Sequence, residues 1–255
     1  MPLEIVTVPC LADNYAFLIH SNETGETAVV DVPEAAPIEA VLADRGWSLS
    51  HIFVTHHHWD HVQGVDPLRA ATGAKVIGAR KDARRLPKLD LAVAEGETFQ
   101  FAGHEVRVFD VSGHTVGHIA YYIPDARAVF TADSLMALGC GRLFEGTPDQ
   151  MWASLSKIAG LPTETIVCSG HEYTAANAKF ALTIEPGNAA LVARATAITQ
   201  ARANGLPTVP STLAEELATN PFLRAGLSEL KAAINMPDAS DVAVFAEVRA
   251  RKDRF

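Results

Sequence analysis

The chain is poor in cysteine, in aromatic residues and in positive charge, and it has no long hydrophobic run. Three cysteines, Cys10, Cys140 and Cys168, occur in 255 residues without the close pairing of a metal knuckle. A disulfide-stapled secreted scaffold is thereby disfavoured, and reduced thiols in a reducing compartment are expected. Lys and Arg total 21 against 30 Asp and Glu, a formal net charge of −9. That balance argues against nucleic acid, whose phosphates call for a broad basic face, and an anionic ligand would need a local basic patch. No apolar stretch approaches the ~20 residues of a membrane span. Met1-Pro2-Leu3-Glu4-Ile5 also lacks the basic and small-residue features of a secretion signal. The expectation is a cytoplasmic protein, monomeric, with neither membrane nor nucleic acid as partner. What is present is a globular balance, 48% hydrophobic and 20% charged, in a chain long enough for one large domain with a smaller one appended.

Hydrophobic patterning and turn residues place the elements. Glu4–Val8, Tyr15–His20 and Thr27–Val32 read as strands, and Pro37–Arg45 as a short helix ended by Gly46. A strand over 49–55 leads into a histidine-rich loop, then a helix Val62–Ala71 stopped by Gly73, then a strand Lys75–Gly78. Two hairpins follow, Glu97–Ala102 with Glu105–Val111 and Ile119–Ile123 with Ala128–Thr131, then a helix Pro148–Ala159 capped by Thr147 and a strand Thr165–Cys168. After residue 172 the strands are expected to stop. Helices there open at Asn188, at the capping box Thr212-Leu213-Ala214-Glu215, and at Ser240 or Asp241. The composition shift divides the chain into residues 1–172, mixed α/β, and residues 173–255, helical.

The densest chemistry is Thr55-His56-His57-His58-Trp59-Asp60-His61, directly after the strand over 49–55. Alternation along a strand sends His56 and His58 one way and His57 the other. Imidazoles interleaved with a carboxylate suit zinc or a similar divalent ion. Three later residues also follow strands: His114, Asp133 and His171. Strand ends at one edge of a sheet converge, so these single residues join the cluster as candidates. Five imidazoles and two carboxylates exceed the needs of one tetrahedral ion and suit two ions, if one carboxylate bridges.

The run His56-His57-His58-Trp59-Asp60-His61 resembles the signature of the metallo-β-lactamase superfamily, with His114, Asp133 and His171 in the later family positions. The blocks Gly139–Thr147, Gly170–Thr174, Glu185–Asn188, Pro207–Thr212 and Asn220-Pro221-Phe222 are similar to hydroxyacylglutathione hydrolases (glyoxalase II), and they continue through the helical tail. The resemblance implies a metallo-β-lactamase-type αββα four-layer sandwich with an α-helical C-terminal domain that binds glutathione. It assigns His56, His58 and His114 to one metal, Asp60, His61 and His171 to a second, and Asp133 to a bridge between them. His57 is not carried over. The metals implied are two divalent ions per chain, zinc first, with iron or manganese able to occupy the same donors.

The same resemblance implies a small-molecule glutathione thioester as partner, of the S-D-lactoylglutathione type. A hydroxide bridging the metals would attack the thioester carbonyl, with Asp60 orienting it, to give D-lactate and glutathione. Arg142, Phe144, Tyr173, Arg249 and Lys252 are the carried-over substrate contacts. Two depart from the family pattern. Phe144 stands where many relatives carry Tyr, removing one hydrogen bond to glutathione. Arg142 stands where others carry Lys, keeping the charge with a different geometry. By itself the run Arg249–Arg254 reads as a solvated helix end favoured by the helix dipole. His118 and Asp31 admit two readings each, support for a metal-bound imidazole or a local structural bond. The competing functions on this fold are a mononuclear iron dioxygenase acting on glutathione persulfide and a non-catalytic metal-binding module.

Overall fold

The computed structural model describes residues 3–255, so Met1 and Pro2, which enter the reading of the N-terminus, lie outside the described residues. The chain divides into two compact units, the first running to residue 110 with 116–132, the second comprising 111–115 with 133–255.

In the first unit, β1 (Glu4–Cys10), β2 (Asn14–His20), β3 (Glu26–Val30), β4 (Ser48–Phe53), β5 (Lys75–Ala79) and β6 (Leu91–Val93) form a six-stranded sheet in that order. Pairing is antiparallel from β1 to β3 and parallel from β3 to β6. The parallel steps need crossovers. They are supplied by α1 (Ala35–Arg45) before β4, and by α2 (Trp59–Val62) and α3 (Val65–Thr72) before β5. Runs such as Ala28-Val29-Val30 and Val76-Ile77 are buried without polar alternation, as expected for strands covered on both faces. β7 (Thr98–Phe101), β8 (His104–Asp110), β9 (Ile119–Ile123) and β10 (Ala128–Ala132) make an antiparallel meander.

The two sets of strands meet through aromatic rings. Phe53 lies 5.2 Å from Phe99 and 5.7 Å from Phe101, and Phe17 lies 5.8 Å from Phe130. Buried Tyr121 on β9 donates its hydroxyl proton to Val54 O at 2.8 Å, with Ile77 O 3.1 Å away sharing it. That bond fixes the exit of β4, from which the histidine loop departs.

The second unit holds the hairpin β11 (Leu135–Met136) with β12 (Gly139–Cys140), then α4 (Pro148–Ala159), β13 (Ile166–Ser169), α5 (Thr174–Ile184), α6 (Ala189–Ala203), β14 (Ser211–Thr212), α7 (Leu213–Thr219), α8 (Ser228–Ala233) and α9 (Asp241–Arg254). Complete capping boxes open α4 at Thr147 and α7 at Thr212, while Asn188 and Ser240 cap α6 and α9. α5 and α6 pack through Ala178, Ala181, Leu191, Ala195 and Ile198, whose small members permit close approach.

Three expectations need correction. The helix expected over 62–71 starts only at Val65, as α3, and the separate α2 ends at Val62, because the chain turns at Gly64. A Cβ there would stand 2.7 Å from Val32 Cγ1 and 2.9 Å from Ala35 N and Val32 O. The strands do not end at 172: Ser211-Thr212 pairs antiparallel with Ile166-Val167. Helix α5 is hidden in the sequence because its buried face carries the polar Thr174 and Asn177, Ala176 lies on its exposed face, and no side chain caps it at Tyr173, so the apolar stripe that marks a surface helix is blurred. Gly64→Ala is expected to lower stability by about 1–3 kcal/mol through overpacking, read as a reduced melting temperature. An unchanged melt would mean that the α1–α3 corner accommodates a side chain.

Candidate metal centre

In the first unit the donors hang from the loop after β4. The strand ends at Phe53, two residues before the expected end at Thr55, so the separation of His57 from its neighbours is a property of the loop rather than of strand alternation. His56 and His58 have ring centroids 4.8 Å apart, and His56 and His61 4.3 Å. His57 turns away, its Nδ1 2.9 Å from the buried carboxylate of Asp82.

One carboxylate sets the orientation of two of these rings. Asp31 Oδ1 accepts the Thr55 N–H at 2.9 Å, and Oδ2 accepts the Thr55 hydroxyl and His61 Nδ1–H, both at 2.8 Å. The Thr55 hydroxyl has one proton, given to Asp31, so its oxygen accepts the Nδ1–H of His56 at 3.0 Å. With Nδ1 carrying the proton in each ring, Nε2 is the nitrogen that a neutral imidazole would offer to a metal. Oxygen and nitrogen donors of Asp31, His56 and His61 lie within 4.8 Å of one another. Asp31 is nevertheless engaged by three protons, and it supports the rings from behind. Its backbone is left-handed, φ 57°, a conformation that Asp tolerates better than most residues.

Asp60 is held from the β1–β2 turn, where Asn14 Nδ2 donates to Asp60 Oδ2 and Asp60 O, both at 3.1 Å. Asp60 Oδ2 stands 3.8 Å from His61 Nε2. His118, fully buried, stacks on His56 with centroids 4.5 Å apart and planes 11° apart, and its Nδ1 lies 3.2 Å from Ile119 O. It thus shows features of both readings, a ring packed against His56 and a local bond to the backbone.

The second unit carries the remaining three donors. His114 Nδ1 donates to Arg142 O at 2.8 Å, which again leaves Nε2 as the donor. That Nε2 is 3.5 Å from Asp133 Oδ2, and His171 Nε2 is 3.3 Å from the same oxygen. A single carboxylate facing two imidazole nitrogens is the local geometry that a bridging ligand requires. Gly141 makes this arrangement sterically accessible: a Cβ there would stand 2.0 Å from Asp133 O and 2.8 Å from His114 Nδ1. His171 stacks on Tyr173, centroids 4.7 Å apart and planes 8° apart.

The expected substrate contacts all lie in this unit. Arg142 is exposed, with Nε 3.4 Å from Asp253 Oδ1 and its guanidinium 6.0 Å from the centre of the exposed Phe144 ring. Phe144 in turn packs edge-on to His114 at 5.3 Å. Tyr173 is 40% exposed. Arg249 is only 7% exposed, donating to Cys140 O at 2.9 Å and paired with Asp253 at 2.8 Å. Lys252 lies 5.2 Å from the Phe180 ring and 5.1 Å from Phe255, and burial, helped by the Arg249 charge, lowers its ammonium pKa. Sequence reasoning passed over Asn14, Thr55, Asn177 and Asp253. An Asn in a β-turn or a Thr at a strand end has an ordinary local use, and only the folded chain reveals these bonds.

The donor set suits divalent ions: imidazoles, three of them (His56, His61 and His114) anchored through Nδ1 so that Nε2 is left to ligate, with carboxylates beside them. No cysteine competes as a nucleophile. All three are buried, and desolvation pushes the Cys10 and Cys140 thiols up to about 11 and Cys168 higher still.

Comparison with known proteins agrees with this fold and these donors. The metallo-beta-lactamase superfamily model matches residues 13–171, and the chain has that superfamily's fold, with mixed α/β sheets and a helical C-terminal region. Among solved structures, ETHE1 from Myxococcus xanthus superposes with TM-score 0.69 at 23% identity, covering 98% of this chain and 90% of that one. TTHA1623 in a di-iron-bound form gives TM-score 0.60 at 27% identity, covering 86% of this chain and 100% of that one. The tail narrows the class. Residues 172–255 match the model of the hydroxyacylglutathione hydrolase C-terminus. The hydroxyacylglutathione hydrolases of Roseobacter denitrificans and Ruegeria pomeroyi are 67% and 64% identical over 255 residues, 100% of both chains in each case. The chain belongs to the hydroxyacylglutathione hydrolase family.

Asp31→Ala is expected to weaken metal retention by about 10–100-fold, the usual effect of removing a carboxylate behind a ligating imidazole. His57→Ala is expected to retain metal as the parent does. Metal content after dialysis against a graded chelator checks both, and equal retention by the two variants would remove Asp31 from the design of the site.

Proposed function

We propose that the protein hydrolyses S-(2-hydroxyacyl)glutathione thioesters, S-D-lactoylglutathione being the representative substrate, to a 2-hydroxy acid and glutathione. The observation that supports this reading best is the Asp133 carboxylate facing both His114 Nε2 and His171 Nε2, in a chain 67% identical along its full length to a hydroxyacylglutathione hydrolase. His56, His58 and His114 would hold one divalent ion and Asp60, His61 and His171 a second, with Asp133 shared. Zinc is the first choice for both; the di-iron form of TTHA1623 makes iron a realistic occupant. When bound, such ions supply a water ionising near pH 7 and polarise an acyl oxygen.

The chain's own residues do the rest. Asp31 and Thr55 hold His56 and His61 in the tautomer that offers Nε2, and the Arg142 carbonyl does the same for His114. Asn14 fixes Asp60 Oδ2, so that this carboxylate is aligned to orient the attacking water as well as to ligate. Water adds its oxygen to the acyl carbon, the C–S bond breaks, and the electron pair leaves on sulfur. Thiols ionise near pH 8.5, so the leaving group asks little of a general acid. Arg142, Tyr173 and Lys252 are the groups placed to meet the glutathione carboxylates, with Phe144 offering an apolar face in place of a hydroxyl. Arg142→Ala is expected to raise KM several-fold with a smaller change in kcat, because it removes binding felt equally in ground and transition states.

The deciding assay is thiol release from S-D-lactoylglutathione by purified, metal-loaded protein. Turnover that disappears on chelation and returns with zinc or iron is expected; a loaded protein no faster than its chelated form would overturn the reading. His171→Ala is expected to lower bound metal from two ions per chain towards one, and a variant that kept both ions and full rate would refute the ligand assignment.

A further inference from the structure

The stretch from Asp133 to Arg142 carries the facing carboxylate at one end and, at the other, the carbonyl that fixes His114. Between them runs the hairpin β11–β12, with Ala137 and Leu138 at its turn. Leu138 is left-handed, φ 56°, a backbone state that a branched residue keeps only when its surroundings hold it.

Side chains from the helical tail supply that hold, nearly residue by residue. Asn220, fully buried, has Nδ2 3.1 Å from Met136 O, 3.0 Å from Gly139 O and 3.0 Å from Glu216 Oε2, so that its two N–H groups are shared among three acceptors. Glu216, also fully buried, accepts the Leu138 N–H at 2.9 Å through the same Oε2, with Arg194 paired to its other oxygen. Asn177 on α5 donates to Ala137 O at 3.0 Å. Arg249 on α9 donates to Cys140 O at 2.9 Å. The next carbonyl along that ends in this set, Arg142 O, takes the His114 ring proton at 2.8 Å. Backbone polar groups of a two-stranded hairpin ordinarily face water or another strand. Here they are buried against amides, a carboxylate and a guanidinium drawn from α5, α7, the turn after α7, and α9.

We propose that Asn177, Glu216, Asn220 and Arg249 are positioning residues of the metal centre, bracing the 133–142 backbone so that Asp133 and the Arg142 carbonyl are in place before any ion binds. The tail then has a second duty beside substrate binding. Arg249 belongs to this brace: buried, it donates to Asp253 through two nitrogens and to Cys140 O through the third, whereas Arg142 is exposed and Lys252 half-buried, the more accessible cations of the set. The inference rests on the proposed metal-dependent hydrolysis and explains why a substrate-binding tail and a ligand set stay together in one compact unit.

The test compares four proteins: the parent, Asn220→Asp, Asn177→Ala and Leu230→Ala. Asn220→Asp keeps the volume and the acceptor that takes the Phe222 N–H, but turns an acceptor towards two carbonyls and a carboxylate. It is expected to lose metal about 10–100-fold more readily on chelation, with kcat falling more than KM changes. In the metal-free state its amides at 136–142 should exchange with solvent faster than in the metal-free parent. Leu230→Ala, a buried position on α8 outside the brace, should melt earlier yet hold metal as the parent does. Should Asn220→Asp not fold, Asn177→Ala, which removes a single bond to Ala137 O, is read the same way with a smaller loss. Parent-like metal retention and exchange in the folded variants, or equal metal loss in Leu230→Ala, would overturn the proposal. A parent that binds no metal pair and releases no thiol would instead overturn the function it rests on.

Discussion

An imidazole has two nitrogens, and a metal site built from imidazoles depends on something occupying the wrong one. In this chain three of the five assignments are made by ordinary acceptors: a carboxylate for His61, a hydroxyl for His56, a backbone carbonyl for His114. Asp31 is the most heavily used of these, because one oxygen serves His61 directly and His56 through Thr55. The same carboxylate takes the Thr55 N–H, so the loop backbone and the rings it carries are fixed together. A site assembled in this way has little freedom left to lose when an ion arrives, which is the physical meaning of preorganisation.

The two units arrive at this condition by different means. In the first, a sheet edge delivers the donors and a single buried acid orients them. In the second, the donors sit on short connections with little regular structure of their own, and the order comes from helices far along the chain. A hairpin of two-residue strands is marginal by itself, and buried side-chain donors and acceptors substitute for the neighbouring strands it lacks. This division of labour places Arg142, Phe144 and Tyr173, the residues proposed to face the substrate, in the same unit as the carboxylate proposed to bridge the ions.

Much of this was legible in the sequence, for reasons that can be named. The strands of the first sheet declare themselves by β-branched runs, and α4, α6, α7 and α9 by their caps, since a capping side chain is a local signal. The donors stand out because His and Asp in that interleaved spacing have few structural uses. Local patterning does not register what depends on long-range burial. Helix α5 buries the polar Thr174 and Asn177, which blurs its stripe, and β14 consists of only two residues whose partner lies more than forty positions earlier. Gly64 carries no local sign of its role, which is to let the chain pass Val32 and Ala35 where a Cβ would collide. Asn220 was visible as part of a motif, but nothing in a three-residue block announces that its amide reaches back to the carbonyls at 136 and 139.

The burial of the three thiols bears on how such a protein survives its own chemistry. An enzyme whose product is a low-molecular-weight thiol works in a pool of that thiol and of its disulfide, and any accessible thiolate would be drawn into exchange with them. Cys10 and Cys140, pushed up to about 11 by burial, are ionised in only about one molecule in ten thousand at neutral pH. Neither those two nor Cys168 is exposed for attack. On the proposed function, the chain's own sulfurs are therefore shielded from the redox couple that its product would feed, and thiol–disulfide exchange at Cys10, Cys140 or Cys168 would not gate its rate.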